Sequence, residues 1–333
     1  MMPRWILASA VLVLSASPGA VSGQAEAPAL SFPVACEVGR SCELQHYIDR
    51  DPGPGARDYR CGPQTYQAHS GVDIRLLDMA AQRRGVAVLA AADGVVAGVR
   101  DEMEDISVKV RGLASVANKE CGNGVVVNHG GGWQTQYCHM ARGSIAVKVG
   151  DKVRTGAALG RVGLSGQTEY PHLHLTVRRG DVTIDPFAPD MSNPAACGPQ
   201  RGLWTAAARA AMPYSAGAVL NVGFAGAVVS MEDIEAGGVA PPTISSPFLV
   251  VYGRGIALLA GDVLQLELRG PSGAVLAQNR IAPLPRWQAQ YFIRTGAARP
   301  PAGWAAGIYR GDFQVIRGGK QVFQRRFEVN LKG

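Results

Sequence analysis

The sequence predicts an all-β protein with two strand-rich units, residues 61–190 and residues 215–333. Turn formers are abundant, with 42 glycines and 21 prolines in 333 residues, whereas Gly and Pro together average about 12%. Only 18% of the residues are charged, below the usual value of about 25%, which argues against coiled coils and charge-rich helices. The 47% hydrophobic fraction excludes a disordered chain. Short Val-rich segments between glycines are typical of strands joined by turns.

Residues 1–23 have the pattern of a secretory signal peptide, which predicts an exported, periplasmic or secreted protein. Arg4 precedes an apolar run at 5–14, and small residues at 20–23 offer a cleavage site. The run is shorter than the roughly 20 residues that span a bilayer, so no stable membrane insertion is expected after signal removal. The net charge of +7 suits an anionic partner such as a cell-wall polymer. Without a dense Lys/Arg tract, nucleic acid is not expected as a partner.

The first unit follows a segment, residues 24–60, that is predicted to be irregular because it is polar and contains a Pro/Gly turn cluster. Within 61–190, Gly130-Gly-Gly132 lies between two strand-like segments and predicts a hairpin. Alternating or Val-rich patterns predict strands at 85–90, 94–99, 106–110, 124–129, 133–137 and 172–177.

The second unit follows a predicted linker at 191–214, which contains one helix-prone piece at 203–212. Strand candidates then recur about every ten residues with turn residues between them, a cadence that favours an Ig-like β-sandwich. The candidates are 217–224, 247–252, 262–268, 274–280, 287–293, 307–316 and 321–331. No His or Cys follows Cys197, so we interpret this unit as a binding or packing module whose partner the sequence does not identify.

Histidines are concentrated in the first unit, in three groups: His69 with Asp73, His139, and His172 with His174. Residues two apart on a strand share a face, so the last pair is expected to project together. Two imidazoles and a carboxylate form the three-ligand set of a catalytic zinc site. The alternative is a group of core histidines whose ring nitrogens are hydrogen-bonded within the protein and bind no metal.

The other two histidines receive no chemical role from the sequence. His129 adjoins the glycine turn and is expected to be structural or exposed, and His46 lies in the irregular N-terminal segment.

Roughly residues 61–188 resemble the lysostaphin/LytM-type family of peptidoglycan zinc metalloendopeptidases, which has the duplicated hybrid motif fold. The motifs occur in the family's order and are His69-Ser-Gly-Val-Asp-Ile74, Ala90-Ala-Ala-Asp-Gly-Val-Val96, Gly122-Asn-Gly-Val-Val-Val-Asn-His-Gly130, Tyr137-Cys-His-Met140, Val147-Lys-Val-Gly-Asp-Lys-Val153, Gly163-Leu-Ser-Gly166 and Pro171-His-Leu-His174. The resemblance implies a compact antiparallel β domain with its site in a groove. It implies one zinc ion held by His69, Asp73 and His174, with His139 and His172 as non-ligand catalytic histidines.

The function that this resemblance implies is zinc-dependent hydrolysis of peptide bonds in peptidoglycan stems or cross-links. Met140 and Leu175 replace the Leu and Phe usual in the family, which bears on substrate fit rather than on chemistry. One alternative is a non-catalytic domain of the same fold that binds the wall or activates another hydrolase. A lipoyl or biotinyl carrier domain is disfavoured because Lys152 lacks the flanking residues of a modified lysine.

Six cysteines allow 15 pairings, of which one has a geometric argument. Folding the hairpin about residues 130–131 brings Cys121 close to Cys138, and an extended Cys138 would point away from the face that carries His139. We also expect Cys36–Cys42 to close a short loop and Cys61–Cys197 to tie the two ends of the first unit.

Overall fold

The computed structural model describes residues 26–190, 192–193, 196–198 and 201–333. The signal peptide predicted at 1–23 lies outside these residues. Within the described ranges, every helix is too short or too polar to span a bilayer.

The first unit contains an eight-stranded sheet in which all pairings are antiparallel, with strand order β1-β2-β9-β6-β5-β4-β7 and β10 paired to β9. A second, two-stranded sheet pairs β3 with β8. The strands are β1 (Cys42–His46), β2 (Val72–Leu76), β3 (Ala87–Leu89), β4 (Gly94–Arg100), β5 (Asn123–Gly130), β6 (Trp133–Met140), β7 (Lys152–Val153), β8 (Ala158–Arg161), β9 (His172–Arg179) and β10 (Val182–Thr183). The helices are α1 (Met79–Arg84), α2 (Val108–Arg111) and a 3-10 helix (Leu113–Val116).

The hairpin predicted around three consecutive glycines is confirmed between β5 and β6. Gly130, Gly131 and Gly132 all have positive φ values, between 57° and 84°. A side chain would be strained in this conformation, so the glycines permit the tight reversal.

The strand predicted at 106–110 is wrong, because the structure has helix α2 there. The Ser107 side chain accepts a hydrogen bond from the backbone N–H of Lys109 and caps the helix. Val110 is 82% exposed, so the alternation of apolar residues does not reflect a buried face. A five-residue alternation without a partner strand did not distinguish a strand from a helical turn.

The segments on either side of the first unit pack into its core. Residues 24–60, predicted to be irregular, contain β1, and their Leu30 and Val34 are fully or almost fully buried in the first hydrophobic core. Trp204, from the predicted linker, is 2% exposed in the same core and forms a bridge with Leu30. A short helix, α3 (Ala206–Ala211), follows it. Both segments are therefore integral to the first unit rather than loose connections.

Seven strands form two sheets in the second unit, in the orders β11-β12-β15 and β14-β13-β16-β17, and enclose a separate hydrophobic core. They are β11 (Ala218–Ala225), β12 (Phe248–Leu258), β13 (Val263–Arg269), β14 (Val275–Arg280), β15 (Gln288–Ala298), β16 (Gly307–Arg317) and β17 (Lys320–Leu331), with helix α4 (Met231–Ala236) after β11. The predicted Ig-like sandwich is confirmed. Its fourth strand pairs with the third, whereas in constant-type Ig domains the fourth strand joins the opposite sheet.

All three expected disulfides are present: Cys36–Cys42, Cys61–Cys197 and Cys121–Cys138. Disulfides of this kind persist in oxidising compartments.

Buried polar contacts join the two units. Glu235 of α4 contacts the guanidinium of Arg75 on β2 at 2.7 Å and also that of Arg254 on β12. Arg254 donates a further hydrogen bond to the carbonyl of Leu77, at 2.6 Å. Arg75 and Arg254 are both fully buried, so we call Glu235 and these two arginines the interdomain ion cluster.

Candidate metal centre and groove

Strands β2 and β9 bring two of the histidine groups together. Asp73 lies opposite His174 in the antiparallel register. Leu173 and Leu175 are fully buried in the core. His172 and His174 alternate with them along β9 and therefore project from the opposite face, as their spacing predicts. His69 precedes β2 and reaches the same point.

Three side-chain atoms converge at this point. Nε2 of His69 lies 3.2 Å from Oδ1 of Asp73 and 3.2 Å from Nδ1 of His174, and the last two atoms are 2.9 Å apart. Zinc–ligand bonds of about 2.0–2.1 Å in a tetrahedron place neighbouring ligand atoms about 3.3 Å apart. The triangle is therefore within a few tenths of an ångström of one tetrahedral face, and the donor set fits zinc.

Each of these three side chains has a second hydrogen-bond partner that orients it. The Nδ1–H of His69 donates to the carbonyl of Tyr47 at 2.7 Å, and His46 Nδ1 lies 3.0 Å from Oδ2 of Asp73. Nε2 of His174 lies 3.2 Å from Oγ1 of Thr176. Outer hydrogen bonds of this type fix the tautomer and ring orientation of metal-binding residues.

The remaining two histidines of the set lie beside this triangle. The ring centroids of His139 and His172 are 4.7 Å apart. The Nδ1–H of His139 donates to the carbonyl of Ser165 at 2.8 Å, and that of His172 to the carbonyl of Tyr170 at 3.0 Å. Because each Nδ1 carries the donated proton, each Nε2 is left to accept a proton or to contact a ligand.

His139, His172 and His174 form a second combination whose nitrogens approach closely enough for a metal ion. It shares His174 with the first triangle. The carboxylate distinguishes the first set, because Asp73 supplies the negative charge that the all-histidine set lacks.

The position of His139 depends on an unusual backbone conformation. Its φ is 62°, which interrupts the alternation of β6, so that Cys138 and His139 both line the groove. The expectation that Cys138 points away from the face of His139 is therefore wrong, because it assumed a regular extended strand. The Cys121–Cys138 disulfide forms nevertheless.

Burial and the single carboxylate set the charge of the cluster. The imidazoles around Asp73 outweigh its burial and hold its pKa well below the usual range. Burial opposes protonation of His69, but the Asp73 carboxylate dominates and raises the pKa of His69. Burial, together with the neighbouring His172 and His174, holds the pKa of His139 well below that of free histidine. Burial also lowers the pKa of His174.

His46 was assigned no role from the sequence, yet it is 3% exposed and contacts Asp73. Its other ring nitrogen is buried and has no hydrogen-bond partner among the described residues, and the ring of Trp287 from the second unit lies 6.2 Å away between centroids. The polar sequence of β1 gives no sign of this burial. His129, in contrast, contacts the Asp93 carbonyl and Thr135 and does not line the groove, as expected for a structural histidine.

His69, His139 and His174 line a groove with a volume of about 420 Å³, whose lining residues all lie between Tyr66 and Arg178. No described residue of 24–60 lines this groove, so that segment supports the cluster from outside it.

Comparison with known proteins finds relatives of the segment that carries this cluster. Residues 67–186 match the family model described as peptidase family M23. The chain is 30% identical over 125 residues to cell division protein DipM of Caulobacter vibrioides, covering 38% of this chain and 17% of DipM. It is 30% identical over 138 residues to DD-carboxypeptidase/endopeptidase Mpg of Neisseria meningitidis, covering 41% and 26%. It is 32% identical over 106 residues to peptidoglycan DD-endopeptidase ShyA of Vibrio cholerae, covering 32% and 19%.

The similarity spans about a quarter or less of the length of these curated relatives. The family-model match at 67–186 includes all five clustered histidine and aspartate side chains predicted from the sequence. Residues 67–186 of this chain, which carry the candidate metal centre, are therefore similar to peptidase family M23.

Proposed function

We propose that this protein is an exported zinc metalloendopeptidase that hydrolyses peptide bonds in peptidoglycan stems or cross-links. The observation that carries the proposal is the convergence of His69, Asp73 and His174 within 2.9–3.2 Å, beside His139 and His172. The M23 match and the endopeptidase relatives Mpg and ShyA support the same reaction and substrate.

In this proposal, His69, Asp73 and His174 hold one zinc ion. When bound, zinc acts as a Lewis acid that polarises a carbonyl and lowers the pKa of water from about 15.7 to near 7. Tyr47, His46 and Thr176 keep the three side chains in place, because each occupies the polar atom that faces away from the triangle.

His139 and His172 share the proton transfers and the stabilisation of negative charge. Each presents Nε2 towards the cluster while a backbone carbonyl fixes Nδ1. One imidazole accepts the proton of the attacking water, and the other, when protonated, donates a hydrogen bond to the developing oxyanion.

The proposal is tested on purified sacculi with the zinc-loaded protein, by measuring muropeptide release before and after chelation. We expect release that a chelator abolishes and added zinc restores. His172→Ala should lower the rate by about 10²–10⁴-fold while the protein still binds one zinc ion. His129→Ala, which changes a histidine outside the groove, is the matched control and should leave both unchanged.

Two results would contradict the proposal. A folded protein that binds no zinc and releases no muropeptides would favour a non-catalytic domain that binds the wall or activates another hydrolase. Loss of zinc from His172→Ala would instead mean that the ligand and the proton acceptor have been exchanged.

A further inference from the structure

The groove extends beyond the histidines and contains one unneutralised cation. Arg178 is the only Lys or Arg among its described lining residues. His172, His174, Thr176 and Arg178 alternate along β9 and therefore share the face that lines the groove. At about 3.3 Å per residue, the Cα atoms of His174 and Arg178 are roughly 13 Å apart.

A neutral side chain holds the guanidinium of Arg178 in place. Its Nη1 donates to Oε1 of Gln136, on the neighbouring strand β6. The amide nitrogen of Gln136 in turn lies 3.2 Å from Sγ of Cys121, which is bonded to Cys138. The disulfide thus anchors the glutamine that orients the arginine.

No carboxylate neutralises this guanidinium. Among the described residues, no Asp or Glu oxygen forms an ion pair with Arg178. The guanidinium makes one side-chain hydrogen bond to a described residue, and its acceptor is Gln136. Glu120 also lines the groove, but its carboxylate accepts the backbone N–H of Asn118 at 2.8 Å. A half-buried, oriented and unpaired guanidinium is suited to bind a carboxylate with two parallel hydrogen bonds.

We propose that Arg178 binds a free carboxylate of the peptide substrate and thereby makes the groove selective for anionic peptides. The inference rests on the proposed function and deepens it. An extended peptide advances about 3.3–3.6 Å per residue, so the carboxylate lies within about four residues of the scissile bond. Stem peptides and cross-links that carry free carboxylates meet this requirement, whereas an oligoglycine bridge does not.

The test compares two forms of one cross-linked muropeptide dimer, with its carboxylates free and with the same groups converted to primary amides. A charge-assisted hydrogen bond contributes about 1.5–3 kcal/mol, so amidation should lower the kcat/KM of the wild-type protein about 10–100-fold, mainly through KM. Arg178→Gln should cleave the free acid with similarly reduced kcat/KM and should no longer distinguish it from the amide.

The neighbouring Arg179 provides a matched control. It lies on the opposite face of β9, with its guanidinium 5.4 Å from the ring centre of Trp133, and Arg179→Gln removes the same charge. This variant should keep the wild-type preference for the free acid. Arg178→Lys, which retains the charge but not the planar fork, should keep part of the preference, and it replaces Arg178→Gln if that variant fails to fold.

The outcomes separate this inference from the proposed function. If the wild-type protein cleaves acid and amide equally well, the carboxylate site is wrong while the peptidase remains. If it cleaves neither, the proposed function fails. Calorimetric binding of the two dimers then decides the inference independently: at least tenfold tighter binding of the acid, lost in Arg178→Gln, supports it, and equal binding overturns it.

Discussion

Two carboxylates, the buried Asp73 and the partly buried Glu235, have partners that differ in kind. Asp73 lies among imidazoles, whereas Glu235 lies between the guanidiniums of Arg75 and Arg254. The imidazole nitrogens nearest to Asp73 belong to His174, His46, His69 and His172, at 2.9, 3.0, 3.2 and 3.5 Å. Imidazoles exchange protons near neutral pH and bind metal ions, but guanidiniums do neither. The first arrangement suits chemistry, and the second suits permanent attachment of one unit to the other.

The two arrangements are neighbours in the fold. Asp73 and Arg75 are two residues apart on β2 and lie opposite His174 and His172 on β9. The Arg75 guanidinium also lies 3.9 Å from the ring centre of Tyr170, the residue whose carbonyl fixes His172. The interdomain ion cluster therefore supports the strand pair that carries the candidate site.

The largest effect on stability is expected at the interdomain ion cluster. Glu235→Ala leaves two fully buried guanidiniums without their carboxylate, and breaking a buried pair in this way costs about 3–5 kcal/mol. Urea unfolding should show this loss. Glu232→Ala, on the exposed face of the same helix, should change the free energy of unfolding by less than about 0.5 kcal/mol. A similarly small effect for Glu235→Ala would mean that the cluster does not hold the two units together.

A third carboxylate, Glu43 on β1, sharpens the comparison because no Lys or Arg of the described residues forms an ion pair with it. Burial outweighs the favourable charge of Arg325 and raises the pKa of Glu43 from 4.5 to about 7. The folded state therefore holds this proton more tightly than the unfolded state. Its contribution to stability is fully present below about pH 4.5 and is lost as the pH rises through about 7.

Glu43→Gln tests this pH dependence. Between pH 4.5 and 7, the wild-type protein should lose up to about 3 kcal/mol relative to the variant, at 1.36 kcal/mol per pKa unit. Urea unfolding of both proteins across this range measures the difference. Parallel pH profiles would show that Glu43 ionises normally in the folded protein.

The smallest predicted effect concerns the outer partner of Asp73. His46→Ala should weaken zinc binding about 10–100-fold, the usual result of removing such a hydrogen bond. Zinc affinity is measured by competition with a chelator, and His129→Ala again serves as the control. Equal affinity in both variants would limit His46 to packing against Tyr66 and Trp287, whose rings lie 5.2 and 6.2 Å away.

The features that were predictable from the sequence depend on local patterns. Turn residues and regular spacing locate the seven strands of the sandwich, and the glycine hairpin and the shared face of His172 and His174 follow from backbone geometry. The motif order predicts which side chains converge, although no local rule shows the left-handed conformation of His139 that brings it there.

The role of β1 was not predictable in this way. Its sequence is largely polar, yet Glu43, Gln45 and His46 are all buried. Their burial results from residues distant in the chain: Gln45 accepts from Arg75, and His46 contacts Asp73 and lies near Trp287. A hydrophobic pattern reports burial among apolar neighbours, so it does not detect a strand buried by hydrogen-bonded polar groups.

The position of β1 has a consequence for how the first unit can be divided or transplanted. The segment that matches the M23 family model, residues 67–186, contains His69, Asp73 and His174 but excludes His46 and Tyr47. A recombinant fragment cut at those limits would keep every candidate ligand and lose the hydrogen bonds that orient two of them. The smallest exchangeable module therefore begins upstream of Cys42, and inheritance of the motif alone does not transfer the complete site.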